Sequence, residues 1–194
     1  MGILLMAAGQ GQRYRAQAPD VFKLDVPLNS GTSVFESTLE SCLRTGLAVF
    51  VITRPEHLEV IETCRRRGVG YSCHQTATLA ESIVAGVKAR PDWSRWLIHL
   101  ADMPRVESST FLTLNDLLTD HAMARPVYHS APGHPVGFAK SMYAALLALP
   151  PGEGARPLLR RHDCYFLETD DDGVIQDIDT PEDLDKVNAH AKLG

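Results

Sequence analysis

The sequence predicts an α/β protein in three layers, a mainly parallel sheet with helices on both faces. Two observations predict it. Short apolar runs of strand length alternate with amphipathic stretches of helical period along the whole chain, the rhythm of successive strand-helix-strand units. A length of 194 residues with 44% hydrophobic and 22% charged content also suffices for one core that buries roughly 70% of the unfolded surface. Residues 1–194 therefore read as a single domain, and collagen-like, coiled-coil and disordered classes are excluded.

Taken in order, residues 2–8 are an apolar run that stops at Gly9, a buried strand feeding a glycine-containing turn. A loop is expected from there to about residue 29. Ser33 stands three residues before Glu36, a capping-box spacing, and Val34, Phe35, Thr38, Leu39, Cys42 and Leu43 recur at helical intervals before Gly46, so both ends of this helix are marked. A second strand covers 47–53, and a second helix covers 56–67, closed by Gly68 and by the basic cluster Arg65 to Arg67, which suits a helix C-terminus. Then come a brief strand at 71–74, a helix near 79–88, a strand at 96–100, a helix near 107–121 and a strand at 126–130. A helix at 140–149, a short one after Arg156, strands near 164–169 and 174–178, and a last helix opened by Thr180 and Pro181 complete the reading.

Several function classes fall away. Cys42, Cys64, Cys73 and Cys164 include no Cys-x-x-Cys pair, which argues against a zinc knuckle, a redox motif or a disulfide framework and favours a reducing cytoplasm. The apolar N-terminus lacks a basic flank and ends after about eight residues, too short for a signal peptide or a membrane span. With 19 Lys and Arg against 24 Asp and Glu, the net charge of −5 offers no broad basic face for nucleic acid.

In a parallel sheet, ligands bind beyond the carboxyl ends of the strands, so polar residues that follow strands become candidates. The segment Ala7-Ala8-Gly9-Gln10-Gly11-Gln12-Arg13 brings small residues whose N–H groups can approach a phosphate, with Arg13 as a positive fork. It reads equally as a glycine-rich turn with a surface arginine. Lys23 could add a second positive charge or stand solvated. Asp102 follows the strand 96–100 directly in Leu100-Ala101-Asp102-Met103-Pro104, where its carboxylate could hold a phosphate-bound Mg²⁺; the alternative is a turn cap. Asp179 is a possible second metal ligand, although an acid ahead of Thr180-Pro181 also suits a helix start. In Gly133-His134-Pro135-Val136-Gly137 the glycines and proline shape a rigid pocket wall from which His134 could touch a substrate. The other histidines lack metal-ligand spacing. Asp170-Asp171-Asp172-Gly173 reads as an exposed turn, because the remaining positions of a calcium loop are absent.

In these residues the chain resembles the molybdenum cofactor cytidylyltransferases of the MobA-like NTP transferase group. The family opens its nucleotide site with Ala-Ala-Gly-x-Ser-x-Arg-x-Gly and a following Lys, and Ala7, Ala8, Gly9, Arg13 and Lys23 stand at those positions. Leu-Ala-Asp-Met-Pro recurs at 100–104, Gly-His-Pro-Val-Gly-Phe at 133–138 and Asp-Ile-Asp-Thr-Pro at 177–181. Four motifs in order span nearly the whole chain. The family serine is Gly11 here, and its second glycine is Arg15. The usual Gly-Met-Gly-x-Ser is Thr78-Leu79-Ala80-Glu81-Ser82, keeping Ser82, and Gly-Asp-x-Gly-Ala-Arg lacks its aspartate but keeps Arg156.

The resemblance implies a Rossmann-like nucleotidyltransferase fold and Mg²⁺-dependent transfer of CMP from CTP to molybdopterin, with release of pyrophosphate. It assigns Arg13, Lys23 and Asp102 to catalysis, and Ala7, Ala8, Gly9, Gly11, Arg13, Lys23, Ser82 and Asp102 to the nucleotide. Gly133, His134, Pro135 and Arg156 would bind the acceptor, and Asp102 and Asp179 the metal. Ala-Ala-Gly resembles the cytidylyl branch, whereas the guanylyl branch typically shows Ala-Gly-Gly. The family also implies a molybdenum hydroxylase apo-enzyme as a possible recipient of the product. Two alternatives stand beside this reading: transfer to a sugar or alditol phosphate, suggested by Gly11 and the lost aspartate, and a non-catalytic carrier of the molybdenum cofactor, suggested by Arg15 and the altered 78–82 segment.

Overall fold

The structure, a computed structural model, describes residues 1–152 and 154–190; Glu153, within the segment that aligns with the family's Gly-Asp-x-Gly-Ala-Arg, lies outside the described residues. Its strands are β1 (Gly2–Met6), β2 (Ala48–Thr53), β3 (Gly70–Cys73), β4 (Arg95–Leu100), β5 (Met123–Tyr128), β6 (Ala131–Pro132), β7 (Val136–Ala139) and β8 (Tyr165–Glu168). They join one sheet in the order β3-β2-β1-β4-β7-β5-β6, with β8 beside β5. Neighbours in β3-β2-β1-β4 are parallel, as are β5 and β8. Strand β7 runs antiparallel between β4 and β5, and β6 returns antiparallel along β5.

The three layers follow from the alternation of side chains across β1, every residue of which is buried. Ile3, Leu5 and Ala7 point to one face, into a core completed by helices α2 (Val34–Leu43), α3 (Leu58–Arg66) and α5 (Ser108–Leu117). Leu4, Met6 and Ala8 point to the other, against α4 (Leu79–Ala89), α6 (Tyr143–Leu147), Trp93 and Trp96. A strand covered on both sides has no polar face, hence the unbroken apolar run.

Local chemistry sets the helix ends. The Ser33 hydroxyl accepts from the Glu36 N–H at 3.1 Å, the N-cap half of the capping box expected from sequence, while the Glu36 carboxylate is turned to Arg66. Thr78 caps α4 in the same way at 3.3 Å, while the Glu81 carboxylate accepts from the Ala77 N–H at 2.6 Å. Arg65 and Arg66 occupy the last turn of α3 as expected, and Arg66 and Arg67 pair with Glu36 and Glu40 on α2.

Five expectations need correction. Within the loop expected up to residue 29, a helix α1 (Gln12–Gln17) forms; Gly11 precedes it at φ 60, and no side chain caps it, so the sequence carried no start signal. The expected strand 174–178 is absent. Residues Asp172–Ile175 instead make a 3₁₀ turn. The acidic run beside it is not an exposed turn throughout, because Asp171 is buried. Its carboxylate accepts from the N–H groups of Gly173 and Glu107 and from the Thr110 hydroxyl. The segment 133–137, read as a turn, gives β7 from Val136 onward. Finally, the strand expected at 126–130 ends at Tyr128, and His129 and Ser130, at φ 46 and 67, turn the chain into β6.

Candidate active site at the strand ends

A cavity of 470 Å³ opens beyond the carboxyl ends of β1 and β4, lined by residues 8–13, Lys23, residues 76–79, Ser82, Leu100, Asp102 and Asp179. Ala8, Gly9, Gly11, Arg13, Lys23, Ser82, Asp102 and Asp179, eight of the residues expected at the nucleotide and metal, are thus brought together. Ala7 is not among the lining residues. It is buried in the core, donating to the Ile52 carbonyl at 2.8 Å, and so supports the loop from below.

Four charges meet on one side of this cavity. Lys23, 7% exposed, places Nζ 2.5 Å from Asp102 Oδ2 and 2.9 Å from Asp179 Oδ1. The exposed Arg13 reaches Asp179 Oδ2 at 2.6 Å. Burial works against the Lys23 ammonium, yet Asp102 and Asp179 outweigh it and raise its pKa. Desolvation likewise opposes ionisation of Asp179, and its bonds to Lys23 and Arg13 hold its carboxyl below the usual range.

The backbone explains why residues so distant in sequence coincide. The Ile178 N–H donates to the Asp102 carbonyl at 3.0 Å, which pins the 177–179 segment across the end of β4. The Thr38 hydroxyl donates to the Ala101 carbonyl at 2.9 Å and fixes the turn that presents Asp102. At the start of α8 (Pro181–His190), it is Asp183 that accepts from the Thr180 N–H and hydroxyl, at 3.0 and 2.8 Å. Asp179, the alternative candidate for the helix start, is thereby free to face Lys23.

Thr76, Ala77, Thr78 and Ser82 close the far side. The Ser82 hydroxyl is bonded to the Thr76 hydroxyl at 2.8 Å and to the Thr78 carbonyl at 3.2 Å. Arg54, largely buried, holds this segment by donating to the Thr76 carbonyl and to Gln75 Oε1, both at 2.6 Å. Sequence reading missed Thr76 and Arg54, whose roles depend on contacts across 22 and 21 positions.

A second cavity of 580 Å³ adjoins the first across Leu79 and Leu100, which line both. Gly133, His134 and Arg156 line it; Pro135 does not. A Cβ at Gly133 would lie 2.3 Å from the Val174 carbonyl oxygen, so only glycine fits there. The next residue donates its N–H to that same oxygen at 2.8 Å. Desolvation, followed by the charge of Arg125, pushes the His134 imidazole down to about 4, and burial takes the neighbouring His99 to about 3. Both rings are therefore neutral at physiological pH, and their Nδ1 atoms are buried without a partner. Arg125 and Asp177 also line this cavity. Desolvation, then Asp102 and Asp179, raise the Asp177 carboxyl above its ordinary value.

Among the described residues, no group of three or more His, Cys, Asp or Glu could hold a metal by itself. The arrangement suits a cation shared with phosphates, which needs one or two carboxylates. Asp102 Oδ1 is buried and has no hydrogen-bond partner, a lone carboxylate oxygen that such a cation would satisfy. No described helix is long and apolar enough to cross a membrane.

A family model described as the MobA-like NTP transferase domain matches residues 3–165. The molybdenum cofactor cytidylyltransferase of Escherichia coli K12 is 25% identical over 184 residues, covering 93% of this chain and 92% of its own. The purine catabolism protein PucB of Bacillus subtilis 168 is 27% identical, covering 95% of this chain and 94% of its own. Among solved structures, a nucleotidyl transferase from Methanothermobacter thermautotroptrophicus superposes with a TM-score of 0.85 at 21% identity, covering 99% of this chain and 98% of its own.

Proposed function

Because the chain belongs to the MobA-like NTP transferase family, we propose that it is a nucleotidyltransferase that moves CMP from CTP to molybdopterin, with residues 1–194 acting as one catalytic unit. The observation that carries this reading is the meeting of Lys23, Arg13, Asp102 and Asp179 at the mouth of a cavity walled by a glycine loop. Support for cytidine comes from the Ala7-Ala8-Gly9 sequence and from the named activity of the E. coli relative.

The acceptor is a phosphate monoester. Its second pKa is near about 6, so at neutral pH an unprotonated phosphate oxygen can attack the α-phosphorus of CTP without a general base. One P–O bond forms, the bond from the α-phosphorus to the bridging oxygen breaks, and pyrophosphate leaves with the electron pair. The residues have to bring two polyanions into line and hold charge on the leaving group. N–H groups of Gly9 to Gln12 would receive the triphosphate, and Arg13 and Lys23 would exchange their carboxylate partners for its oxygens. Asp102, with Asp179, would hold Mg²⁺, which when bound neutralises phosphate charge. Thr76, Thr78 and Ser82 would face the base, and the second cavity, with Gly133, His134 and Arg156, would seat the acceptor. This reading places the protein in the cytoplasm, with an apo-hydroxylase as recipient of the product.

The test is calorimetric binding of CTP, GTP, ATP and UTP with Mg²⁺ to the wild-type chain and to Asp102→Asn, followed by pyrophosphate release with molybdopterin as acceptor. Selective CTP binding that the substitution weakens, together with molybdopterin-dependent pyrophosphate release, is the expected result. Pyrophosphate release driven only by a sugar or alditol phosphate would reassign the acceptor. Pterin that copurifies with a chain releasing no pyrophosphate would make it a carrier.

A further inference from the structure

Two guanidinium groups line the second cavity, and among the described residues neither is paired with a carboxylate. Arg125 projects from β5, and its Nη2 donates to the Gly133 carbonyl at 2.9 Å. Its Nε is buried and has no partner. Arg156, at the start of α7 (Arg156–Arg161), lines the same space. No carboxylate pairs with either guanidinium among the described residues. Burial disfavours the cationic form of Arg125, as does the smaller effect of the Arg156 charge, with Cys164 acting the other way, and both arginines add to the burial that keeps His134 neutral. The two guanidiniums thus repel one another across a cavity walled largely by Ile83, Ile98, Val136, Phe138 and Leu159. The lining contains one acid, Asp177, and the charges that act on it are those of Asp102, Asp179 and Lys23, so it belongs electrostatically to the first cavity.

Arg125 is part-buried against this apolar wall with its Nε unpartnered, a cost that an anionic ligand group would offset, and Arg156, exposed at the edge of the same space, could join in holding that group. The phosphate that reacts cannot be that ligand group, because it must reach the α-phosphorus beside Asp102 and Lys23. We infer that Arg125, together with Arg156, clamps a second anionic group of the acceptor, separate from the phosphate that is nucleotidylated. The acceptor class is therefore a molecule with two separated negative charges and an apolar or planar body between them, not a neutral polyol with a single phosphate. This rests on the proposal that the first cavity takes the nucleotide, and it adds Arg125 as a specificity-determining residue.

Two measurements on the full chain test the clamp. In the first, inorganic sulfate is titrated into ¹⁵N-arginine-labelled protein saturated with CTP and Mg²⁺. The Arg125 Nε–H signal, assigned by its loss in Arg125→Lys, should shift saturably, and Arg156→Gln should weaken the midpoint about tenfold. In the second, Arg125→Gln should raise KM for molybdopterin tenfold or more, the scale of a charge-assisted hydrogen bond. Its kcat and its KM for CTP should change less than about threefold, and Arg125→Lys should recover part of the loss. An Arg125 signal that sulfate does not move, or an acceptor KM within about twofold of wild type, overturns the clamp. If the wild-type chain releases no pyrophosphate with molybdopterin, the proposed acceptor fails instead, and the sulfate titration alone decides whether the anion site exists.

Discussion

The two adjoining cavities follow opposite electrostatic plans. In the first, each cation has an acid of the chain to hold: Lys23 bridges Asp102 and Asp179, and Arg13 completes Asp179. In the second, Arg125 and Arg156 have none among the described residues. A self-neutralised site can stay buried without its ligand, because removing a charge from water is compensated when a partner lies within hydrogen-bond distance. Such a site must exchange partners on binding, and its ligand has to bring both signs, as a metal-bound triphosphate does. A site with uncompensated cations needs only an anion. The difference teaches that the nucleotide and its cation should bind as one unit, and the acceptor's second charge separately.

The change expected to disturb this contrast most is Asp102→Asn. It removes the carboxylate whose Oδ1 is unpartnered and leaves Lys23 with one acid. Pyrophosphate release in a single turnover should fall about 10³-fold, the scale of losing a principal electrostatic stabiliser. A near-normal rate would mean that the paired charges of the first cavity are structural.

Lys23→Ala sharpens the comparison because its two effects have opposite signs. Turnover should fall about 100-fold as leaving-group charge is exposed. Free Mn²⁺, titrated without nucleotide, should nevertheless bind more tightly, since Asp102 Oδ2 and Asp179 Oδ1 are released from the ammonium. Unchanged or weaker Mn²⁺ binding would show that Lys23 does not stand where a cation would.

A smaller effect concerns the second cavity's histidines. Their folded pKa values, about 4 for His134 and about 3 for His99, lie below the ordinary value near 6.5. The unfolded chain therefore binds more protons, and stability rises with pH across this window. It is at its full value above pH about 6.5 and is lost progressively as pH falls towards the folded values. Near pH 5 the two rings account for the uptake of about two protons on unfolding, and His99→Gln with His134→Gln should remove that share from the pH dependence of urea unfolding. A His134 ring that titrates at or above the ordinary value by NMR would remove it from this pH dependence and give the cavity a third cation in mildly acidic solution.

Much of this frame was legible in the sequence because it depends on near neighbours. The Ser33 and Glu36 cap, the basic end of α3 and the run before Gly9 each express a local rule. Asp102 could be found because a carboxylate directly follows an apolar run. What stayed hidden depends on distant contacts. Lys23 and Asp102 are 79 positions apart, and the family pattern suggested both without disclosing that they pair. Arg125 precedes the strand expected at 126–130 and looks like any polar residue there; only the start of β5 at Met123 and the arrival of β7 beside it turn Arg125 towards the second cavity. Residues 174–178 have the length and apolar ends of a strand, but beyond their local turn bonds the backbone partners of that stretch are the His134 N–H and the Asp102 carbonyl, so it laces across strand ends without pairing in the sheet.

The smallest expected effect tests the contrast at its edge. The resemblance set Arg15 where a glycine is usual, which invites the thought that a further arginine touches the triphosphate. The structure turns it elsewhere. Arg15 lies in the last turn of α1, its N–H donates to the Gly11 carbonyl at 2.9 Å, and its guanidinium stands 5.7 Å from the ring centroid of Phe22. Phe22 in turn packs on His57, with centroids 4.1 Å apart, and Arg15 is not among the residues that line the first cavity. An exposed cation resting on a ring contributes about 0.5–1 kcal/mol. Arg15→Ala should therefore lower stability by no more than that and leave KM for CTP within about twofold. A tenfold rise in KM would place a guanidinium without an acid partner on the triphosphate, and the first cavity would then share the uncompensated charge that sets the second apart.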